Sequence, residues 1–243
     1  MNHISIAFYA PSLIVPVNYN QEVQRLLYQL AAGGSGKQWY NADKSDQRYK
    51  LFTFSSLRGE KRVINGLIFF ERMIYLDVRS IHNKFCDMLY NALCSNELPV
   101  LFGQRMVVQM IKKYIPDIAS DSLFIKMLSP ITVQNISETG KIHYCSPFDL
   151  EFSSQVNNIF THKYKSYAGN FPSDDVTIIP VVVGERERQT TLIRNMKITA
   201  WRGAYRLFGN PKHLEFLYYC GLGSRTSDGF GMFEVIKDSP TDH

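Results

Sequence analysis

Cysteine is scarce in this chain: there are four in 243 residues, Cys86, Cys94, Cys145 and Cys220. They fall at none of the short spacings that hold zinc and are too sparse for a disulfide scaffold, which points to a reducing, cytoplasmic setting. Long apolar runs are also missing. Ile178-Ile179-Pro180-Val181-Val182-Val183 is typical, far short of the ~18 residues of a membrane span. No basic segment precedes the apolar start, Met1 to Val17, so no signal peptide is read there. Charge of one sign does not dominate. With 27 basic and 22 acidic side chains the net charge is +5, which permits a polyanion partner without demanding one. What is present is 45% hydrophobic and only 20% charged, the composition of a folded chain. The length suits one large domain or two small ones, each able to bury a core.

The pattern of residues predicts two similar halves. Ile4 to Tyr9 reads as a strand that Pro11 and Pro16 interrupt. Val23, Leu26, Leu27, Leu30 and Ala31 then repeat at the spacing of one buried helix face, and Gly33-Gly34-Ser35-Gly36 ends that helix in a loop. Tyr49 to Leu57 and Met73 to Val78 read as strands. Ile81, Phe85, Met88, Leu89 and Ala92 form a second helix face, and Leu101 to Ile115 returns to strand. That order, β-α-β-β-α-β, is that of a ferredoxin-like unit. In the second half Leu123 to Val133 and Ile142 to Ser146 look like a strand pair. Asp149 is placed to cap a helix that turns Phe152, Val156, Ile159 and Phe160 inward. Val176 to Val183 and Leu192 to Trp201 are expected as strands. Asn210-Pro211 marks a helix start, with Leu214, Leu217 and Tyr218 buried and Gly221 as its stop. Met232 to Ile236 closes the pattern as a strand. The fold class is therefore α+β, with two tandem ferredoxin-like domains divided near Pro116 to Ser122, at 1–118 and 119–243.

The segment with most to say is Gly221-Leu222-Gly223-Ser224-Arg225-Thr226-Ser227-Asp228-Gly229-Phe230-Gly231. Four glycines in eleven residues, after a helix and before a strand, allow positive φ and close backbone approach. Exposed N–H groups in such a loop can cradle phosphate, and Ser224 and Arg225 add donors. An ordinary helix-to-strand turn is the plain alternative. No Lys-Ser/Thr pair follows the last glycine, which excludes the nucleotidase phosphate loop.

The run GNPKHLEFLYYCGLGSRTSDGFGMFEVI resembles the C-terminal signature of the RAMP proteins of CRISPR systems, and among them the CRISPR RNA-processing endoribonuclease, the sixth Cas protein. Val17-Asn18-Tyr19-Asn20, Lys50-Leu51-Phe52-Thr53-Phe54-Ser55 and Lys126-Met127-Leu128-Ser129-Pro130-Ile131-Thr132 resemble further motifs of that family, in the same order. The resemblance implies two RAMP (RRM-like) folds and CRISPR repeat RNA, the precursor CRISPR RNA, as partner. It implies one metal-independent cut per repeat, with no cofactor. The ribose 2′-hydroxyl attacks the phosphorus in line and leaves a 2′,3′-cyclic phosphate and a 5′-hydroxyl. The resemblance also implies a protein that acts free or within a CRISPR effector complex, as monomer or homodimer, away from membranes.

Such enzymes often use a helical tyrosine, a histidine just after that helix and a lysine near the next strand. Tyr28 and Lys50 match the first and third. The histidine's place falls to Asn41, or to Tyr40 if the loop shifts by one. Asparagine cannot exchange a proton near neutrality, and a tyrosine with its ordinary pKa near ~10 is a poor base there. A positioned acid or base is worth roughly 10²–10⁴-fold, so a non-catalytic repeat-RNA-binding homologue is the alternative reading. Tyr28, Tyr40, Lys37, Lys44 and Lys50 are the donors at hand.

Arg188, Arg194, Lys197, Arg202, Arg206 and Lys212 form a basic stretch without an acid, interleaved with Trp201 and Tyr205. Basic groups neutralise phosphates and aromatics stack on unpaired bases. A solvated sheet face is the plain alternative. The RNA-binding set is thus Lys37, Arg188, Arg194, Lys197, Arg202, Arg206, Gly221, Gly223, Ser224, Arg225, Gly229 and Gly231. Arg58, Lys61 and Arg62 form a smaller basic cluster. His162, Lys163 and Lys165 read as a solvated face. His3, His82, His143 and His213 are not expected to be catalytic, and no histidine pair has metal-ligand spacing.

Overall fold

Strand β1 (His3–Pro16) is set by alternation. Ile4, Ile6, Phe8, Leu13 and Val15 are buried, while Tyr9 and Ile14 face out. The computed structural model describes residues 2–32, 50–95, 98–137 and 140–236. Pro11 does not end β1. The strand runs on, with its register against the partner skipping from Ala10 to Ser12. Pro11 occupies that bulge, where its missing N–H leaves no ladder bond unmade. Helix α1 (Asn20–Ala31) follows and buries Val23, Leu26, Leu27 and Ala31 at the expected spacing. Next come β2 (Phe52–Phe54), β3 (Lys61–Ile64) and β4 (Leu67–Ser80), then helix α2 (Asn83–Leu93). The predicted strand from Leu101 to Ile115 is divided into a small hairpin, β5 (Val100–Leu101) and β6 (Gln104–Arg105), and then β7 (Val107–Lys113). Phe102 and Gly103 both adopt positive φ between β5 and β6, as a two-residue turn requires.

β7, β1, β4 and β2 lie side by side in that order, with β3 also on β4. Numbering the four as first to fourth in chain order gives 4-1-3-2, the ferredoxin-like arrangement.

The second half repeats it. β8 (Ser122–Met127) is followed by a small hairpin, β9 (Gln134–Ile136) and β10 (Ile142–Tyr144), then by α3 (Phe152–Ala168) and β11 (Thr177–Val182). β12 (Arg188–Ile193), β13 (Met196–Trp201), β14 (Ala204–Phe208), α4 (Pro211–Cys220) and β15 (Phe233–Val235) complete the chain. The sheet order is β15-β8-β14-β11, again 4-1-3-2.

Four expectations are corrected here. Ile142–Tyr144 pairs with Gln134–Ile136 rather than with the strand at Leu123, which stops at Met127. Asp149 does not cap the helix. Its Oδ2 accepts from the Ser146 N–H at 2.8 Å, and α3 starts three residues later. The segment Leu192 to Trp201 is one arm and the turn of the β12–β13 hairpin, reversed at Arg194 and Asn195, both at positive φ. Central strand β14 was not foreseen.

Two large cores result, beside a small cluster of Ile193, Ile198, Ala200 and Phe230 under the β12–β13 hairpin. One gathers Ile6, Phe8, Leu27, Phe54, Phe70, Ile74 and Phe85, and the other Ile125, Phe152, Phe160, Tyr205, Leu217 and Phe233. The halves meet where α4 packs on β4 and β2. Buried polar residues fill that seam. The Arg79 guanidinium lies 3.6 Å from the centroid of the Tyr218 ring and donates to the Phe233 carbonyl at 2.5 Å. His3 Nδ1 is 3.0 Å from the Tyr218 hydroxyl, and its Nε2 is 3.6 Å from Asp77. Arg58 pairs with Asp77 from the other side.

Candidate functional site

Three of the quoted sequence motifs converge on the glycine-rich segment, and side-chain chemistry explains each. From the first, Asn20 Nδ2 donates to the Asp228 carbonyl at 2.9 Å, and the Tyr19 hydroxyl accepts from the Leu57 N–H at 2.9 Å. From the second, Thr53 Oγ1 donates to the Phe230 carbonyl at 2.9 Å. From the third, Ser129 Oγ accepts from the Met232 N–H at 3.0 Å, and the Thr132 carbonyl accepts from the Ser224 N–H at 2.7 Å. One turn along α1, Gln24 Nε2 donates to the Ser227 carbonyl and to Asp228 Oδ1 at 2.6 and 2.9 Å.

Close approach is what the glycines supply. A Cβ on Gly231, at φ +72°, would run into the Leu222 carbonyl, and one on Gly229 would run into the Phe54 ring. The N–H groups of Gly221, Gly229 and Gly231 donate to the Leu217, Thr226 and Pro130 carbonyls. These three glycines thus spend their donors inside the protein. Gly223 packs against the Thr132 carbonyl. Ser224 Oγ accepts from the Gln134 N–H at 3.2 Å, and Arg225 pairs with Asp228 at 3.3 Å.

Lys163 overturns its reading as a solvated cation. It is 3% exposed. Its ammonium donates to the Gly223 carbonyl at 2.7 Å, the Gly221 carbonyl at 3.2 Å and Thr226 Oγ1 at 3.4 Å. Burial pushes its pKa down to about 8. Its place seven residues on from Val156 and three from Phe160, on the helix's buried face, was the overlooked signal.

Tyr28 and Lys50 are brought together. Tyr28, half-buried on α1, stands edge-on to Phe52 with centroids 5.7 Å apart, and the Lys50 Nζ lies 4.8 Å from the Tyr28 ring centroid. Loss of water lowers the Lys50 pKa, as does Arg194 at the β12–β13 turn, while Asp228 acts in the opposite sense. Helix α1, the start of β2, the hairpin turn and the glycine-rich segment therefore supply one neighbourhood. Lys37, Tyr40, Asn41 and Lys44 lie outside the described residues.

The basic stretch is dispersed. Arg188 and Lys197 are exposed on the hairpin. Arg202 turns inward, donating to Ser56 Oγ at 2.5 Å and to the Leu128 carbonyl at 3.4 Å. Arg206 lies on the outer face of the second sheet, 5.3 Å from the Phe124 ring centroid. Lys212 is in the first turn of α4. Trp201 and Tyr205 are 3% and 0% exposed, so neither is available to stack on a base. The second basic cluster also separates, with Arg58 on Asp77 and Arg62 3.1 Å from Glu71.

His213 is buried among Phe160 and Tyr164, and burial lowers its pKa. His3 belongs to the seam between the halves. Sequence spacing concealed one grouping: His143, Cys145 and Glu151 place a ligand atom each within 4.8 Å of one another. It is the one such grouping among the described residues, and it lies on β10 and just before α3, away from Tyr28 in the chain.

Comparison with known proteins agrees with this fold. The curated CRISPR-associated endoribonuclease Cas6 of Pyrococcus furiosus is 27% identical over 233 residues, 93% of this chain and 86% of its own. A solved structure of a Cas6-related gene product from Pyrococcus furiosus superposes with a TM-score of 0.86 at 20% identity, covering 98% of this chain and 99% of that one. A RAMP protein described as binding different RNA substrates superposes at 0.82 with 20% identity, covering 98% and 100%. The sequence profile of the family described as CRISPR associated protein Cas6, C-terminal, matches residues 112–235, just over half of the chain, and the chain belongs to the Cas6 family.

Proposed function

We propose that this protein is an endoribonuclease that cuts CRISPR repeat RNA without metal. The observation that carries the reading is the approach of the Lys50 ammonium to the Tyr28 ring, beside Arg194 and the glycine-rich segment, at the junction of two ferredoxin-like sheets. The relatives named as endoribonucleases support it. In this reading the 2′-oxygen forms a bond to phosphorus and the bond to the 5′-oxygen breaks. The 2′-hydroxyl proton leaves and the 5′-oxygen gains one, so no water is consumed. The Tyr28 hydroxyl orients the ribose. The Lys50 ammonium meets the charge on the phosphorane oxygens, where a preorganised donor has most effect. Its lowered pKa suits it to give a proton to the departing oxygen. Arg194, Arg188 and Lys197 bind phosphates from the hairpin. The unit 1–118 holds the reacting groups, and 119–243 holds the glycine-rich segment that sets their backing. Gly221, Gly223, Gly229 and Gly231 act through packing.

Asn41, standing where the family resemblance places a histidine, supports a second reading as a repeat-RNA-binding homologue that does not cut. Single-turnover cleavage of cognate repeat RNA in EDTA separates the two. Cutting by the wild type, slowed ~10²-fold or more in Tyr28→Phe or Lys50→Ala, supports the enzyme. Tight binding with no cutting supports the binding homologue.

A further inference from the structure

Three different donor atoms meet where the β9–β10 hairpin leads into α3. His143 lies on β10, and Cys145 follows its last residue. Strand pairing carries on past β10, since the Cys145 N–H donates to the Val133 carbonyl at 2.9 Å. Residues two apart in an extended chain project from one face, so the His143 ring and the Cys145 thiol stand on the same side. The chain then turns tightly. Asp149 Oδ2 accepts from the Ser146 N–H at 2.8 Å, and the Asp149 N–H donates to the Ser146 carbonyl at 3.0 Å. That turn brings Glu151, the residue before α3, back to the end of the strand. The Gln155 N–H and Ser154 Oγ hold it there by donating to its carbonyl, each at 2.9 Å. One nitrogen, one sulfur and one carboxylate oxygen thereby lie within 4.8 Å of one another.

Cys145 is 1% exposed, whereas His143 and Glu151 are open to solvent. The sulfur is thus buried, accepts from no other described residue and faces two polar groups at the surface. Neither the His143 ring nor the Glu151 carboxylate has a hydrogen-bond or ion-pair partner among the described residues. Imidazole, thiolate and carboxylate are the donor types that zinc takes, at ~2.0–2.3 Å. Tetrahedral bonds of that length set the ligand atoms about 3.3–3.6 Å apart, so the three must draw in by about 1 Å. Rotation of the two exposed side chains supplies that movement, with Cys145 as the fixed point. Calcium and magnesium, which prefer all-oxygen sites, do not suit this set.

We propose that His143, Cys145 and Glu151 bind a zinc-class divalent cation, with water in the fourth position, and that the cation clips the β9–β10 hairpin to the start of α3. The thiol gives its proton to solvent as the sulfur–metal bond forms. The site takes no part in the cleavage proposed above, and either stands without the other.

The test uses the full-length protein, reduced, stripped with EDTA, freed of chelator and titrated with Co²⁺. A thiolate-to-cobalt charge-transfer band that saturates at one equivalent per chain and is bleached by Zn²⁺ is the expected result. Cys145→Ser removes the band. Cys94→Ser, which removes the exposed cysteine, keeps it. The double variant His143→Ala, Glu151→Gln, changed only at exposed positions, loses Zn²⁺ affinity by more than the ~10-fold that loss of an outer-shell partner brings. Zn²⁺ raises the unfolding temperature of the wild type and leaves that of the double variant unmoved. A wild type without the band overturns the site. So does a band that the double variant keeps at unchanged affinity, or one that is lost with Cys94 rather than with Cys145.

Discussion

Lys163 shows how one side chain links a helix to a loop. Its ammonium is desolvated for the sake of two carbonyls and a hydroxyl in the glycine-rich segment. The folded pKa, about 8, lies below the ~10.4 of a free lysine. Between these values the unfolded chain binds more protons than the folded one, so this group's contribution to stability rises with pH across that window. Chemical denaturation of the wild type from pH 7 to 10.5 should show the rise. Lys163→Met should lack it, and should lose about 1–3 kcal/mol at pH 7 from the acceptors left unpaired. The sequence could give a buried helix face, but a lysine on that face reads as solvated until its acceptors, some sixty residues away, are known. Tyr28 and Lys50 were legible only through family resemblance. Their contact depends on Phe52 and on how β2 returns beneath α1, which no local pattern contains.

At the scale of elements, periodicity served α4 fully and α1 nearly so, with only Leu30 of its predicted face left half-buried, while α2 buries Phe85 and Leu89 as expected but adds Cys86 and Leu93 in place of Met88 and Ala92. It failed for β14. Ala204–Phe208 follows Gly203 and carries Tyr205 and Arg206, which look from the sequence like a mixed basic-aromatic surface. Alternation instead puts Tyr205 in the core and Arg206 outside. The same confusion joined Arg202 to Arg188 and Lys197, although the Arg202 side chain turns inward to Ser56 and the Leu128 carbonyl while the other two are exposed. The hairpin itself should bind RNA largely through charge. Arg188→Ala combined with Lys197→Ala is expected to make the salt slope of repeat-RNA binding shallower by about 1.4, with little change in thermal stability. The glycine-rich segment is more brittle. Gly231→Ala, strained at positive φ and forced against the Leu222 backbone, should cost at least ~2 kcal/mol in denaturant unfolding.

For the whole molecule, two ferredoxin-like halves were readable from element order, although the central strand β14 of the second sheet was missed, and the seam that joins the halves was not readable. Ser55, the Asp77–Arg79 stretch and Tyr218 come from three separate segments, and the one hint was charge at Asp77 and Arg79 interleaved with the apolar Leu76 and Val78. Burial opposes the Asp77 charge, but the neighbouring His3 and the Arg58 guanidinium outweigh it and hold the carboxyl below its usual range. Burial lowers the His3 pKa as well. Both groups are therefore protonated less readily in the folded state. The stability they contribute is present above about pH 6.5 and is lost stepwise as pH falls, first through the histidine range and then through the carboxylate range. Unfolding followed from pH 7 to 3 should show that loss, and Asp77→Asn should flatten its lower part.

Cleavage sits at the centre of the account, and one measurement tests it most directly: incubation of the purified protein with cognate repeat RNA in EDTA, beside the same RNA carrying a 2′-deoxy sugar upstream of the cut. A single cut leaving a 2′,3′-cyclic phosphate, abolished by the deoxy sugar, is the predicted result. RNA that is bound tightly and recovered whole would contradict it.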